Sequence, residues 1–224
     1  MDLDFNRGQI IVLIGKQASG KSFLLRNLIY QLSKQQTFKF GKVFTATGFI
    51  YSDYDFMPEK HVDSDYSEVK LESYIGSLKQ WMEKNKGKKL PPSFLVLDDL
   101  LGKIQGHTDI FQNLMATYRH FNLTIFITSQ YTVKNVSPLL RELTDLAFIF
   151  RSKNTRIALY EAFGQMLDNQ DEFEYILDQA TKEKHASLVY NANKSTPEEA
   201  YLSFKCSARE IQTEVLRYTY HFMY

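Results

Sequence analysis

Residues 9–32 constrain this chain more than any other stretch. An apolar run, Gln9–Ile14, leads directly into Gly15-Lys16-Gln17-Ala18-Ser19-Gly20-Lys21-Ser22. Leu24, Leu25, Leu28, Ile29 and Leu32 then recur at the spacing of one helix face. Strand, glycine loop and helix in that order fit G-x-x-x-x-G-K-[ST]. Gly15 and Gly20 permit a tight loop whose backbone N–H groups, with those of Lys16, Gln17, Ala18 and Ser19 between them, converge on a phosphate chain. The helix opening near Lys21 turns the positive end of its dipole toward the same anion. Lys21 is placed to reach the β- and γ-phosphates, and the Ser22 hydroxyl to coordinate Mg²⁺. The segment predicts a bound nucleoside triphosphate.

The rest of the chain repeats the alternation. Short apolar runs at Val43–Thr47, Phe94–Leu97, Leu123–Thr128 and Leu146–Phe150 lack polar alternation and read as strands buried on both faces. Ile110, Phe111, Leu114, Met115 and Tyr118 mark a further helix, with Thr108 and Asp109 as N-cap candidates. Tyr51–Tyr66 reads as a long acidic and aromatic loop, and Lys84–Pro92 as an exposed turn. After Arg151 come helical patterns to about Lys184, strands at Ala186–Tyr190 and Tyr201–Lys205, and a last helix over Ala208–His221. This order predicts an α/β fold with a mostly parallel sheet and helices on both faces. We divide it into an ATPase domain over residues 1–205 and a tail, 206–224, packed on that domain or on a neighbouring subunit. Tyr218, Tyr220, Phe222 and Tyr224 are the tail's docking candidates.

Two strand ends carry chemistry. Phe94-Leu95-Val96-Leu97-Asp98-Asp99 ends in paired carboxylates, and ligands of open parallel sheets sit at the strands' carboxyl ends. Asp98 is the candidate Mg²⁺ partner, directly or through water. Asp99 is the candidate general base that orients or deprotonates water. The strand at Leu123 ends Thr128-Ser129-Gln130, where Gln130 is placed to hydrogen-bond the γ-phosphate or the attacking water. Read alone, either set also fits an ordinary polar strand end; the upstream phosphate loop favours catalysis.

Composition bounds the partners. With 27 Lys+Arg against 26 Asp+Glu the net charge is +1, so any nucleic-acid binding must concentrate charge locally. Cys206 is the single cysteine and the five histidines show no metal spacing, which excludes an intrachain disulfide and gives no sign of a zinc site. The N-terminus has no signal-peptide pattern, and no apolar run there spans a membrane; a soluble, intracellular protein is expected.

Taken together, GKQASGKS at 15–22, FLVLDD at 94–99, TYRHFNLTIFITSQ at 117–130 and LLRELTDLAFIFR at 139–151 resemble the P-loop ATPases of the FtsK–HerA superfamily. Within it they resemble the DNA-packaging ATPases of poxviruses, other large DNA viruses and virophages. The resemblance implies a virus-encoded ATPase, at the host-cell assembly site or in the virion. It implies a pentameric or hexameric ring that uses ATP and Mg²⁺ to drive double-stranded DNA into a capsid, with portal or vertex proteins as partners. It also implies a RecA-like sheet with an extra strand between the phosphate-loop strand and the acidic strand, a place we assign to Val43–Thr47. An arginine shortly before the fourth strand reaches the neighbouring subunit's ATP in this superfamily. Arg119 holds that place, with Arg141 and Arg151 as alternatives. For DNA contact, Lys103 in the loop 100–107 and the Lys84–Lys89 cluster are the candidates. Asp98-Asp99 departs from the Asp-Glu usual in cellular members and matches the viral branch. Two other readings stay open: a P-loop nucleoside or nucleotide kinase with Arg151 and Arg156 in a lid, and a non-catalytic NTP-binding assembly protein.

Overall fold

The computed structural model describes residues 8–35, 38–46, 54–100, 104, 109–130 and 138–206. Thr47, Lys103, His107, Thr108 and the expected helix at Ala208–His221 with its aromatic end lie outside them.

Eight strands form one sheet: β1 Ile10–Ile14, β2 Phe40–Thr45, β3 Val62–Asp63, β4 Ser93–Asp98, β5 Leu123–Ser129, β6 Leu146–Phe150, β7 Ala186–Asn191 and β8 Tyr201–Lys205, in the order β3-β2-β4-β5-β1-β6-β7-β8. The first six run parallel; β7 and β8 extend the sheet by antiparallel pairing. Among the described residues seven helices accompany it: α1 Lys21–Gln35, α2 Glu68–Lys84, α3 Asp109–Thr117, α4 Pro138–Leu143, α5 Arg156–Phe163, α6 Gln170–Ala180 and α7 Pro197–Ala200.

The unbroken apolar runs are explained by two cores, one on each face. Ile11 and Leu13 of β1 pack with Leu24, Leu25, Leu28, Ile29 and Leu32 of α1. Ile10, Val12 and Ile14 point the other way, into a core closed by α2, α3, α5 and α6. Successive strand residues face opposite sides, so a strand covered on both faces needs apolar residues at every position.

The sheet order corrects one expectation. The strand that separates the phosphate-loop strand β1 from the acidic strand β4 is β5, which pairs with both; β2 lies outside β4. Apolar periodicity identifies strands but does not order them. The separation itself holds. Two further differences concern local structure. The expected loop Tyr51–Tyr66 contains a 3₁₀ turn, Glu59–His61, and the edge strand β3. Helix α2 occupies a stretch for which the motifs give no expectation, although Ser67 caps it by accepting from the Lys70 N–H, and Leu71, Tyr74 and Leu78 form its buried stripe.

At the sheet's amino-terminal end Asp145, 3% exposed, is a hub. It accepts from the Ile10 N–H (2.9 Å), the Tyr118 hydroxyl (3.0 Å) and Arg119 Nη2 (2.9 Å). Burial and the Asp145 charge push the Tyr118 phenol up to about 12, so it remains a donor. Asp145→Ala leaves the Ile10 N–H and the Tyr118 hydroxyl without their acceptor. A loss of roughly 3 kcal/mol in denaturant unfolding is expected, at about 1–3 kcal/mol for each buried group left unsatisfied.

Candidate active site

The phosphate loop is built by close contacts that require its glycines. Gly15 N–H donates to Ser129 O (3.1 Å), tying the loop to the end of β5. A Cβ on Gly15 would stand 2.7 Å from Phe150 Cβ and 2.7 Å from Ser19 Oγ. Gly20 has φ +105°, and a Cβ there would come within 3.1 Å of His185 Nδ1. Ala18 at φ +60° gives the loop its left-handed turn without a glycine. The buried Ser19 hydroxyl finds no hydrogen-bond partner among the described residues. An orphaned hydroxyl inside a ring of backbone amides suits a phosphate oxygen.

Lys21, 8% exposed, curls back over this loop. Its ammonium donates to Gly15 O (2.6 Å) and Lys16 O (2.9 Å). Burial lowers its pKa, and the Asp99 and Asp98 carboxylates oppose that shift. The buried cation and the two acids therefore face one another.

Asp98, 6% exposed, is held by three hydroxyls. Tyr54 (2.9 Å) and Thr45 (3.2 Å) donate to Oδ2, and Thr128 donates to Oδ1. A carboxylate offers about four lone-pair sites, so one remains for a further partner. No group of three His, Cys, Asp or Glu side chains able to hold a metal occurs among the described residues. This donor set fits Mg²⁺, which usually takes one or two carboxylates, substrate phosphates and retained waters rather than an all-protein cage. Ser22, half-buried at the start of α1, and Asp98 are the residues that would hold it.

Asp99 sits at φ +57°, an uncommon conformation for a residue with a side chain. Its N–H donates to Thr128 Oγ1 (3.1 Å), and its carboxylate accepts from the Gln130 N–H (3.2 Å) and the Gln130 side-chain amide. The backbone twist thus turns Asp99 away from the strand line, toward the end of β5. Gly20, Lys21, Ser22, Asp98, Asp99 and Gln130 all line one cavity of about 350 Å³. An adjoining cleft of about 380 Å³ lies between the loop and Arg151, Lys153 and Lys182–Ala186.

Arg119 is elsewhere. It precedes β5 and pairs with Asp145 at the opposite end of the sheet from Gln130. The seven residues of β5 separate those ends by about 23 Å at roughly 3.3 Å per residue. Arg141, on the short α4 before β6, is half-buried. Arg151 follows β6 and lines the cleft beside the chain's own phosphate loop. Arg156 forms a bidentate pair with Asp178 (2.9 and 2.6 Å) and reaches Glu174 (3.1 Å), fastening α5 to α6 rather than forming a lid.

Sequence reasoning missed four contributors. Thr128 stands beside Gln130 in the strand-end run and was within reach of the motif. Thr45 ends a strand recognised only as apolar. Tyr54 and His185 return to the site from distant segments, and no local pattern announces them. His185 (φ +64°) places Nδ1 3.0 Å from the Ser19 carbonyl, which accepts when that nitrogen carries the proton. For Tyr54→Phe we expect roughly a fivefold fall in kcat/KM for ATP, about 1 kcal/mol for one lost hydrogen bond to a positioned carboxylate, in a steady-state assay.

Comparison with known proteins gives the family and the fold. The family model for the poxvirus A32 protein matches residues 4–148. Protein L437 of Acanthamoeba polyphaga mimivirus is 30% identical over 212 residues, 87% of this chain and 72% of that protein. The DNA-packaging ATPase B204 from Sulfolobus turreted icosahedral virus superposes with a TM-score of 0.64 at 19% identity, covering 90% of this chain and 99% of that one. The genome packaging NTPase B204 from Sulfolobus turreted icosahedral virus 2, in complex with AMPPCP, gives 0.63 at 17% identity over 92% and 100%. At such identities the structural likeness fixes the fold, and the family match fixes the lineage. No helix among the described residues is long and apolar enough to cross a membrane. The chain belongs to the poxvirus A32 protein family and is a P-loop ATPase.

Proposed function

We propose that this chain is an ATP-driven double-stranded DNA translocase that moves a viral genome into a preformed capsid. The convergence of Lys21, Ser22, Asp98, Asp99 and Gln130 on one cavity beside the phosphate loop carries the reading. The choice of DNA as cargo is supported by the likeness to B204, a DNA-packaging ATPase. B204 has been captured with AMPPCP, and ATP is the corresponding substrate here.

In this reading the phosphate chain lies along Gly15–Ser22, where backbone N–H groups and the Ser19 hydroxyl meet its oxygens. Lys21 exchanges its bonds to Gly15 O and Lys16 O for the β- and γ-phosphates. Ser22 and Asp98 would hold Mg²⁺, which would supply charge neutralisation for the phosphates. Asp99 orients the attacking water and takes its proton, and Gln130, bonded to Asp99, couples the γ-phosphate to that carboxylate. Phosphate leaves and ADP remains.

Arg119 belongs to a different subunit's reaction. Its place at the far end of the sheet puts it out of reach of its own loop, so a role in hydrolysis requires a neighbour in a pentameric or hexameric ring. Lys103, outside the described residues, is the candidate for pushing DNA, and portal or vertex proteins are the expected docking partners.

The test is ATP hydrolysis with and without double-stranded DNA, with oligomer mass followed in parallel. Turnover that rises with DNA and with ring assembly is the expected result. Phosphoryl transfer to a nucleoside acceptor, with no response to DNA, would replace this reading with a kinase.

A further inference from the structure

The phosphate loop is held from outside as well as from within. A loop can present its N–H groups to an anion only while its carbonyls are turned away and occupied. The carbonyls of Gly15, Lys16, Ser19 and Gly20 all have partners. The Lys21 ammonium donates to Gly15 O (2.6 Å) and Lys16 O (2.9 Å), and the Leu24 N–H donates to Gly20 O (2.9 Å). These three bonds are local. The Ser19 carbonyl instead faces His185 Nδ1 at 3.0 Å, from 166 residues away. A carbonyl only accepts, so this contact is a hydrogen bond when Nδ1 carries the proton.

His185 is the last residue of the turn between α6 and β7, at φ +64°. Left-handed backbone is uncommon for residues with side chains, but His and Asn are enriched in it. The turn is fixed at both ends. The Thr181 N–H (3.0 Å) and hydroxyl (2.7 Å) donate to Leu177 O, and the Ala186 N–H donates to Glu183 O (3.2 Å). The Glu183 carboxylate pairs with Lys205 of β8, which ties the turn to the next strand. From this support the imidazole lies against Gly20. A Cβ there would meet Nδ1, Cβ and Cγ of His185 at 3.1, 3.4 and 3.5 Å. The same ring lines the ATP cavity with Lys21, Ser22, Asp98 and Asp99. The two glycines are thus packed by neighbouring strands: Phe150 of β6 stands over Gly15, and His185, leading into β7, stands over Gly20.

We propose that His185 is a positioning residue for the triphosphate, which sets the Ser19–Gly20 peptide for phosphate binding. A trans peptide is planar, so its C=O and N–H point to opposite sides. Holding the Ser19 carbonyl toward the turn directs the Gly20 N–H the other way, to the phosphate chain. His185 acts through the loop rather than on the reacting atoms. It fixes one donor before ATP arrives, which lowers the ordering cost at binding. The inference rests on the ATP reading of the loop and deepens it, because it brings the antiparallel extension of the sheet into nucleotide binding.

The test is equilibrium binding of N-methylanthraniloyl-ATP with Mg²⁺ to the full chain, with steady-state ATPase alongside, for wild type, His185→Gly and His185→Asn. Glycine accepts the left-handed backbone and supplies no donor. Asparagine accepts it too, and its side-chain amide offers an N–H near the place of Nδ1. His185→Gly is expected to weaken binding about five- to tenfold, the factor of one hydrogen bond, and to raise KM with kcat within about twofold. His185→Asn should stay within about twofold of wild type in both, by the same reckoning. Weakened binding in His185→Gly that His185→Asn restores supports the proposal. Unchanged affinity in His185→Gly overturns it, as does an equal loss in both variants, which would make His185 a structural turn residue. A wild-type chain that binds no nucleotide removes the ATP reading itself, and the proposal with it.

Discussion

Lys21→Ala is expected to lower kcat/KM for ATP at least 10²–10³-fold, the usual cost of removing one preorganised group that stabilises developing charge. The geometry argues that the loss exceeds that of a simple contact. Lys21, 8% exposed, is the cation beside Asp98 and Asp99. Without it two carboxylates face an incoming polyanion alone, so nucleotide affinity should fall together with turnover. The substitution also removes donors to Gly15 O and Lys16 O, at a net cost of about 1–2 kcal/mol. Unfolding in denaturant separates this from catalysis, because the destabilised protein should remain folded in buffer. Lys21→Arg is not a conservative control, since a planar guanidinium cannot repeat a point charge in so narrow a turn. Activity of Lys21→Ala within tenfold of wild type, measured on protein shown to be folded, would falsify the assignment of the site.

How much of this could be seen in the residues follows from the range of the interactions. The phosphate loop, its strand and its helix are local, and Gln9–Leu32 announces them by spacing. The carboxylates and Gln130 are legible because parallel sheets place ligands at strand ends, and registers Thr45↔Asp98 and Asp98↔Thr128 bring those ends level. The order of strands is a different matter. Whether β2 or β5 lies beside β1 depends on crossover connections and on the helices packed against each face. Periodicity marks both as strands and carries no information on their neighbours. Edge strand β3, only two residues long, has too little pattern to register. Tyr54 and His185 reach the site across 44 residues to Asp98 and 166 to Ser19, distances over which sequence carries no signal of contact. The role of Asp145 was hidden for the same reason: its partners Ile10, Tyr118 and Arg119 come from two distant segments.

Arg119→Ala should produce a comparable or larger kinetic loss, of order 10³-fold or more in turnover, with ATP binding intact. That magnitude is the one associated with a guanidinium that completes charge stabilisation in phosphoryl transfer. A purely structural role would look different. Arg119 has a side chain 51% exposed, so its ion pair with Asp145 is screened and contributes only about 1 kcal/mol or less to stability. Asp145 keeps the Ile10 N–H and the Tyr118 hydroxyl after the arginine is gone. A large kinetic defect with a small stability defect therefore points to action on another subunit's nucleotide, given the roughly 23 Å span of β5 between Arg119 and its own site. Mixing sharpens the test. In rings assembled from equal parts Lys21→Ala and Arg119→Ala subunits, head-to-tail contact leaves about one interface in four with both groups intact. Recovery of activity on mixing two inactive proteins is the expected outcome. No recovery, with mixed rings verified by mass, would place Lys21 and Arg119 in the service of the same subunit, and the shared-site ring would have to be abandoned.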